Sequence, residues 1–174
     1  NKAVVDAIKR SDLNSYKALS DLLDMAKVIA DPEGDHDLAY ALKLTNFIKR
    51  KIPTLPSSIV LNQLYWQAMK FEAPHRFESF LLYMEKNRSP KKRFYQPRAK
   101  TLHVVVEDLQ DLEDGLIEFY GLSLPPRVGK STVCIFFLAW CAGRHPDLHN
   151  AMGGHSGILA KGFYKEFLNL ITSP

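Results

Sequence analysis

The chain has 174 residues, of which 46% are hydrophobic and 24% are charged, and its net charge at neutral pH is +4. This is the composition of a soluble globular protein, long enough for one good domain or for pieces of two. No apolar run approaches the ~20 residues that a membrane-spanning helix needs, and the charged first residues do not form a signal peptide.

The charge balance and the cysteines bear on the partners and on the cellular compartment of the protein. A pI of about 9.0 is compatible with a polyanionic partner but does not identify one. Cys134 and Cys141 share one face of a predicted helix, ~10 Å apart, which is too far for a disulfide. We expect them to pack as small apolar groups in a reducing, cytoplasmic setting, and no Cys or His spacing resembles a zinc site.

Residues 1–93 have the apolar periodicity of helices throughout. The predicted elements are a helix capped by Asn14 or Ser15 and ending near Ile29, a turn over residues 31–35, a helix from about His36 to Lys51, a helix from a Ser57 cap to about Phe71, and a helix that starts at Pro74. The stripe of the first helix predicts a core of Leu19, Leu22, Leu23, Ala26 and Ile29.

Seven cations lie between Lys86 and Lys100, without an acidic residue among them. This stretch is either a solvated linker between two parts of the chain or a patch that faces phosphates of DNA or nucleotide. It also contains Gln96 beside Tyr95. An aromatic ring can stack on adenine, and a glutamine amide can both donate to and accept from the edges of the base.

The next segment, from Ala99 to Asp114, is predicted to be a helix that Gly115 ends. Its residues 104–108 superficially resemble the second motif of ATPases, an apolar run with an acidic pair. Because the apolar period continues helically through Leu109 and Leu112, we assign the run to the helix instead.

The stretch from Leu116 to Ala142 resembles a phosphate-binding loop in its order of elements. A run of apolar residues from Leu116 to Leu124 predicts a buried strand, residues 125–129 a tight turn, and Lys130 the start of an apolar helix. The unpaired N–H groups of a helix N-terminus can hold a phosphate. Lys130 would then reach the β- and γ-phosphates and the Ser131 hydroxyl would bind Mg²⁺. The usual first glycine of the pattern is replaced by Leu124, and the alternative is an ordinary helix start.

A second strand is predicted over residues 150–155, followed by a helix that Ser156 caps. His155 and Ser156 would lie at the sheet edge where ligands bind, although capping is the simpler role for Ser156. The predicted fold class is therefore α/β: a helical region at 1–93, then at 94–174 the first half of a P-loop NTPase domain with a parallel sheet.

From about Glu72 onward the chain resembles the large subunit of tailed-phage terminases, the ATPase-nuclease motors that package viral DNA. The resemblance is carried by Ala73-Pro74-His75-Arg76-Phe77, by the Pro-Pro-Arg-Val-Gly-Lys-Ser loop at 125–131, by residues 140–147 and by Gly153-Gly154-His155-Ser156. In that family the loop often lacks the first glycine, which agrees with Leu124.

The resemblance implies ATP and Mg²⁺ as cofactors, with double-stranded DNA, a small terminase subunit and a portal protein as partners in an oligomeric motor. Arg127 would supply positive charge as the γ-phosphate leaves, making it catalytic together with Lys130, and Gln96 would read adenine. The implied nucleotide-binding residues are Gln96, Pro126, Arg127, Val128, Gly129, Lys130, Ser131 and Thr132.

Terminases carry a second acidic ATPase motif and a nuclease domain downstream of the loop, and this sequence contains neither. We therefore expect a piece of a longer protein, which binds nucleotide weakly and does not turn it over alone. Two alternatives stay open. One is a helicase-like P-loop ATPase, and the other is a helical module, formed by residues 1–93, that docks a packaging partner.

Overall fold

A computed structural model describes residues 13–31 and 37–172, and over these residues the chain is helical with no strand. The helices are α1 Tyr16–Ile29, α2 Leu38–Lys51, α3 Ile59–Glu72, α4 Phe77–Glu85, α5 Ala99–Glu113, α6 Lys130–Arg144 and α7 Gly157–Ile171. Short 3-10 turns occupy Ile52–Thr54, Pro90–Lys92 and Gln96–Arg98. None of the described helices has the length and apolar character needed to cross a bilayer.

The predicted α/β fold with a parallel sheet is wrong, because the described residues contain no sheet. Residues 116–124 and 150–155, expected to be strands, have no regular secondary structure. In the first of these, Tyr120, Leu122 and Leu124 pack against a hydrophobic core, whereas Phe119 is 85% exposed. The side chains alternate as in a strand, but a strand also requires a hydrogen-bonded neighbour, and no described segment provides one.

The chain forms two compact units, one ending at Glu72 and the other beginning at Ala73. This division falls earlier than the boundary expected after residue 93. The reason is that Phe77 and Leu81 of α4 belong to the same core as α5 and α6.

The first unit contains α1, α2 and α3. The predicted inward face of α1 is confirmed, since all five of its residues are buried, and Ser15 rather than Asn14 caps the helix by accepting from Ala18 N. In α3 the cap is Ser58, which accepts from Leu61 N, and not the predicted Ser57. The predicted turn at 31–35 and the start at His36 lie almost entirely outside the described residues.

Buried polar groups join α2 to α3. The Glu72 side chain is fully buried, accepts a hydrogen bond from Thr45 Oγ1 at 2.6 Å and pairs with Lys49 Nζ at 2.5 Å. A buried carboxyl group needs partners to offset its desolvation. Because Glu72 lies on α3 and both Thr45 and Lys49 lie on α2, these contacts link the two helices.

The second unit packs α4 to α7 around an aromatic core. The Phe77 and Trp140 rings lie 5.2 Å apart, and Trp140 Nε1 donates to the Ala73 carbonyl at 2.8 Å. Helix α4 begins at Phe77 and not at the predicted Pro74. The predicted stop of α5 is confirmed: Gly115 has φ +73°, and Leu116 N donates back to Asp111 O at 2.9 Å.

Candidate phosphate-binding turn

Helix α6 starts at Lys130 after a turn with unusual backbone conformation. Its N-cap, Gly129, has φ +101°, and Arg127 two residues earlier has φ +66°. A side chain in the left-handed region costs about 1–2 kcal/mol, so the turn carries local backbone strain at Arg127. The tight turn predicted at 125–129 is therefore present, although no strand leads into it.

Gly129 lies directly against the ring of Phe94. A Cβ atom at position 129 would be only 2.2 Å from Phe94 Cε2. The Phe94 ring also stacks on Phe136 of α6, with centroids 5.9 Å apart. The structure thus brings the segment around Gln96 next to the turn before α6, although the two are about 30 residues apart in the sequence.

Among residues 13–31 and 37–172, the first backbone N–H groups of α6 have no protein acceptor. The helix lacks a side-chain cap, and its first internal hydrogen bond runs from Val133 N to Gly129 O at 3.0 Å. Within the described part of the chain, no hydrogen bond uses the backbone N–H of Lys130, Ser131 or Thr132. Such groups, at the positive end of a 15-residue helix, can receive an anion.

The Lys130 side chain already has a partner. Its Nζ donates to the carbonyl oxygen of Leu124 at 2.5 Å, which ties the two ends of the turn together. The Ser131 and Arg127 side chains are exposed. A phosphate at the helix N-terminus would therefore meet Ser131 directly but would have to draw Lys130 away from Leu124.

A buried carboxylate that the sequence analysis missed holds the segment around Gln96. Glu85, only 2% exposed, accepts from the backbone N–H groups of Phe94 at 2.5 Å, Tyr95 at 2.6 Å and Gln96 at 3.1 Å. The three donors satisfy this buried side chain with hydrogen bonds. The only signal in the sequence is its place as the last acidic residue before the cationic stretch.

Several cations of that stretch lie around Phe94 and Gln96. Arg93 Nη1 donates to Gln96 Oε1 at 2.6 Å, and Arg98 Nη1 donates to the Phe94 carbonyl at 2.9 Å. The Arg88 guanidinium lies 5.4 Å from the centroid of the Phe136 ring. These arginines are thus fixed by contacts near the turn, while Lys91 and Lys92 are exposed.

The predicted edge position of His155 and Ser156 is wrong because the strand that would place them there is absent. Ser156 instead caps α7 by accepting from Leu159 N at 3.3 Å, which was the simpler prediction. Helix α7 buries little of its apolar sequence: Leu170 is buried, and Phe163 and Phe167 are partly buried against the core.

A second polar cluster surrounds Glu113 at the end of α5. Cys141 Sγ donates to its Oε2 at 3.1 Å, and His145 Nε2 lies 2.9 Å from its Oε1. Burial, and then the hydrogen bond to Glu113, raise the pKa of Cys141 to about 12. The thiol is therefore protonated at neutral pH and is a poor nucleophile. Across the described residues, no group of three or more His, Cys, Asp or Glu side chains is placed to hold a metal ion.

Comparison with known proteins returns no match among protein-family models, curated proteins or solved structures. The resemblance to terminases therefore stays a prediction from the residues of the loop and its flanks.

Proposed function

We propose that residues 126–132 bind the phosphate groups of ATP together with Mg²⁺. The observation that supports this most is the start of α6, where three backbone N–H groups that have no acceptor among the described residues follow the Gly129 turn. An anion at this position would satisfy those donors and would interact favourably with the helix dipole.

Side chains of the turn and of the neighbouring segment would supply the other contacts to the nucleotide. Lys130 would exchange the Leu124 carbonyl for the β- and γ-phosphates, and the Ser131 hydroxyl would bind Mg²⁺. Arg127 would stabilise the charge that develops when the γ-phosphate leaves. Gln96, on the segment that contacts the turn through Phe94, would meet the adenine.

We further propose, from the sequence resemblance alone, that the chain contributes this site to a terminase-type ATPase that packages double-stranded DNA in the host cytoplasm. A small terminase subunit and a portal protein would be its partners. In that family hydrolysis also needs acidic residues downstream of the loop.

A helical docking module is the second candidate. It is favoured by the absence of a strand among the described residues and by the separate core that α1, α2 and α3 form. Under this hypothesis Lys130 keeps its hydrogen bond to Leu124 and only stabilises the turn, and the start of α6 binds no ligand.

Calorimetric titration of the protein with Mg-ATP separates the two. We expect Lys130→Ala to weaken binding by at least about tenfold, since a hydrogen bond to a charged group contributes about 1.5–3 kcal/mol. Lys161→Ala, which removes an exposed lysine of α7, serves as the matched control and leaves the affinity unchanged. Equal ATP affinity of the Lys130→Ala variant and the wild type, or no binding by either, would reject the nucleotide site.

A further inference from the structure

We propose that Arg93 determines base specificity by fixing the orientation of the Gln96 amide, so that the site accepts adenine and disfavours guanine. This inference rests on the proposed nucleotide site and adds to it the residue that selects the base. In this role Arg93 positions another side chain and does not contact the reacting phosphates.

The Arg93 guanidinium donates two hydrogen bonds, one to a main-chain carbonyl and one to the Gln96 side chain. Its Nε donates to the Arg88 carbonyl at 3.1 Å, while its Nη1 donates to Gln96 Oε1 at 2.6 Å. The planar guanidinium can make both bonds at once, which a lysine ammonium on its flexible stem does far less well.

The backbone of the same segment is fixed independently. Glu85 accepts from the N–H groups of three successive residues, the last of which is Gln96. Both ends of the Gln96 residue are therefore held, its main chain by Glu85 and its amide oxygen by Arg93. The ring of Phe94, packed on Gly129, joins this segment to the turn that would bind the phosphates.

Orientation of the amide decides which purine it can pair with. Adenine presents an N6 amino donor beside the N1 acceptor, whereas guanine presents the O6 acceptor beside an N1–H donor. A glutamine amide turned through 180° exchanges its own donor and acceptor and so reverses its preference between the two bases. Arg93 uses one lone pair of Oε1, and the second lone pair remains for the adenine amino group while Nε2 donates to a ring nitrogen.

The consequence is that Gln96 without Arg93 samples both amide orientations and no longer discriminates between adenine and guanine.

The test measures dissociation constants for Mg-ATP, Mg-GTP and inorganic tripolyphosphate with the wild type, Arg93→Lys, Arg93→Met and Arg76→Met. The last variant removes an exposed arginine of the same unit and controls for the change in charge.

We expect the wild type to prefer ATP over GTP and both Arg93 variants to lower that preference by about tenfold, the effect of one hydrogen bond to a charged group. Arg93→Lys retains its affinity for tripolyphosphate, and Arg76→Met retains the preference for ATP. This pattern supports the proposal because loss of charge alone would weaken all three ligands together.

Three results would overturn the inference: equal affinities of the wild type for ATP and GTP, an unchanged preference in both Arg93 variants, or a parallel loss of tripolyphosphate binding in Arg93→Lys. Failure of the wild type to bind ATP would overturn the proposed function as well. ATP binding that depends on Lys130, with base preference independent of Arg93, would leave the proposed function standing and reject this inference alone.

Discussion

Replacement of Gly129 by alanine tests whether the turn before α6 needs a glycine for two separate reasons. The residue has φ +101°, and a Cβ atom would approach Phe94 Cε2 to 2.2 Å. A non-glycine residue with positive φ costs about 1–2 kcal/mol, and overpacking costs about 1–3 kcal/mol, so Gly129→Ala should destabilise the second unit by about 2–5 kcal/mol.

Urea denaturation followed by tryptophan fluorescence measures this loss. Trp140 is the tryptophan of the second unit, so a Trp66→Phe background makes the signal report that unit alone. Gly143→Ala is the control: position 143 lies within α6, and nothing lies within 4 Å of an added Cβ. Alanine there should stabilise the helix by about 0.5–1 kcal/mol.

A double-mutant cycle with Phe94→Leu isolates the steric part of the cost. Because the smaller side chain removes the clash, the two substitutions should couple favourably by about 1–3 kcal/mol. A loss below about 1 kcal/mol for Gly129→Ala, or additive effects in the cycle, would show that Phe94 does not confine the turn and would refute the reasoning.

Two further predictions concern buried polar groups. Lys49→Met removes the ammonium group that pairs with the fully buried Glu72 side chain and should cost about 3–5 kcal/mol by urea denaturation, whereas Lys27→Met, which breaks the exposed pair with Asp24, should cost less than about 1 kcal/mol. Comparable losses would contradict this assignment. For Cys141, burial and then Glu113 raise the pKa from 9.0 to about 12, so the fold favours the neutral thiol. This contribution to the free energy of unfolding is complete below pH 9 and disappears as the pH rises to about 12. When the free energy of unfolding is measured against pH by urea denaturation, Cys141→Ala should reduce its decline over this range. An equal decline in the variant and the wild type would contradict the role of Cys141.

The helices were predictable because their signals are local. The stripe of α1, the helical period of residues 104–108 and the role of Gly115 as a stop all follow from neighbours a few residues apart. The strands were not predictable in this way. An apolar run between turn residues fits an extended segment equally well, and whether it becomes a strand depends on a partner that the local sequence does not specify.

The candidate site likewise combines features that the local sequence predicts with features that depend on distant contacts. The sequence located the turn at 125–129 and the start of α6, since glycine and the Lys-Ser-Thr helix start lie next to each other in the chain. It did not reveal that Phe94 covers Gly129 or that Glu85 holds residues 94–96, because these contacts depend on how α4 and α6 pack. Tertiary packing, not local preference, assembles this part of the molecule.

The bond between Lys130 and the Leu124 carbonyl changes what an affinity measured at this turn would mean. The ammonium group already donates to a carbonyl oxygen, so its own contribution to binding an anion is the difference between two acceptors, while the backbone N–H groups of α6 contribute separately. An anionic acceptor binds the ammonium more strongly than the neutral carbonyl does, and the gain grows with the charge of the anion. At the nucleotide site that we propose, this exchange would favour ligands of high charge density over small anions.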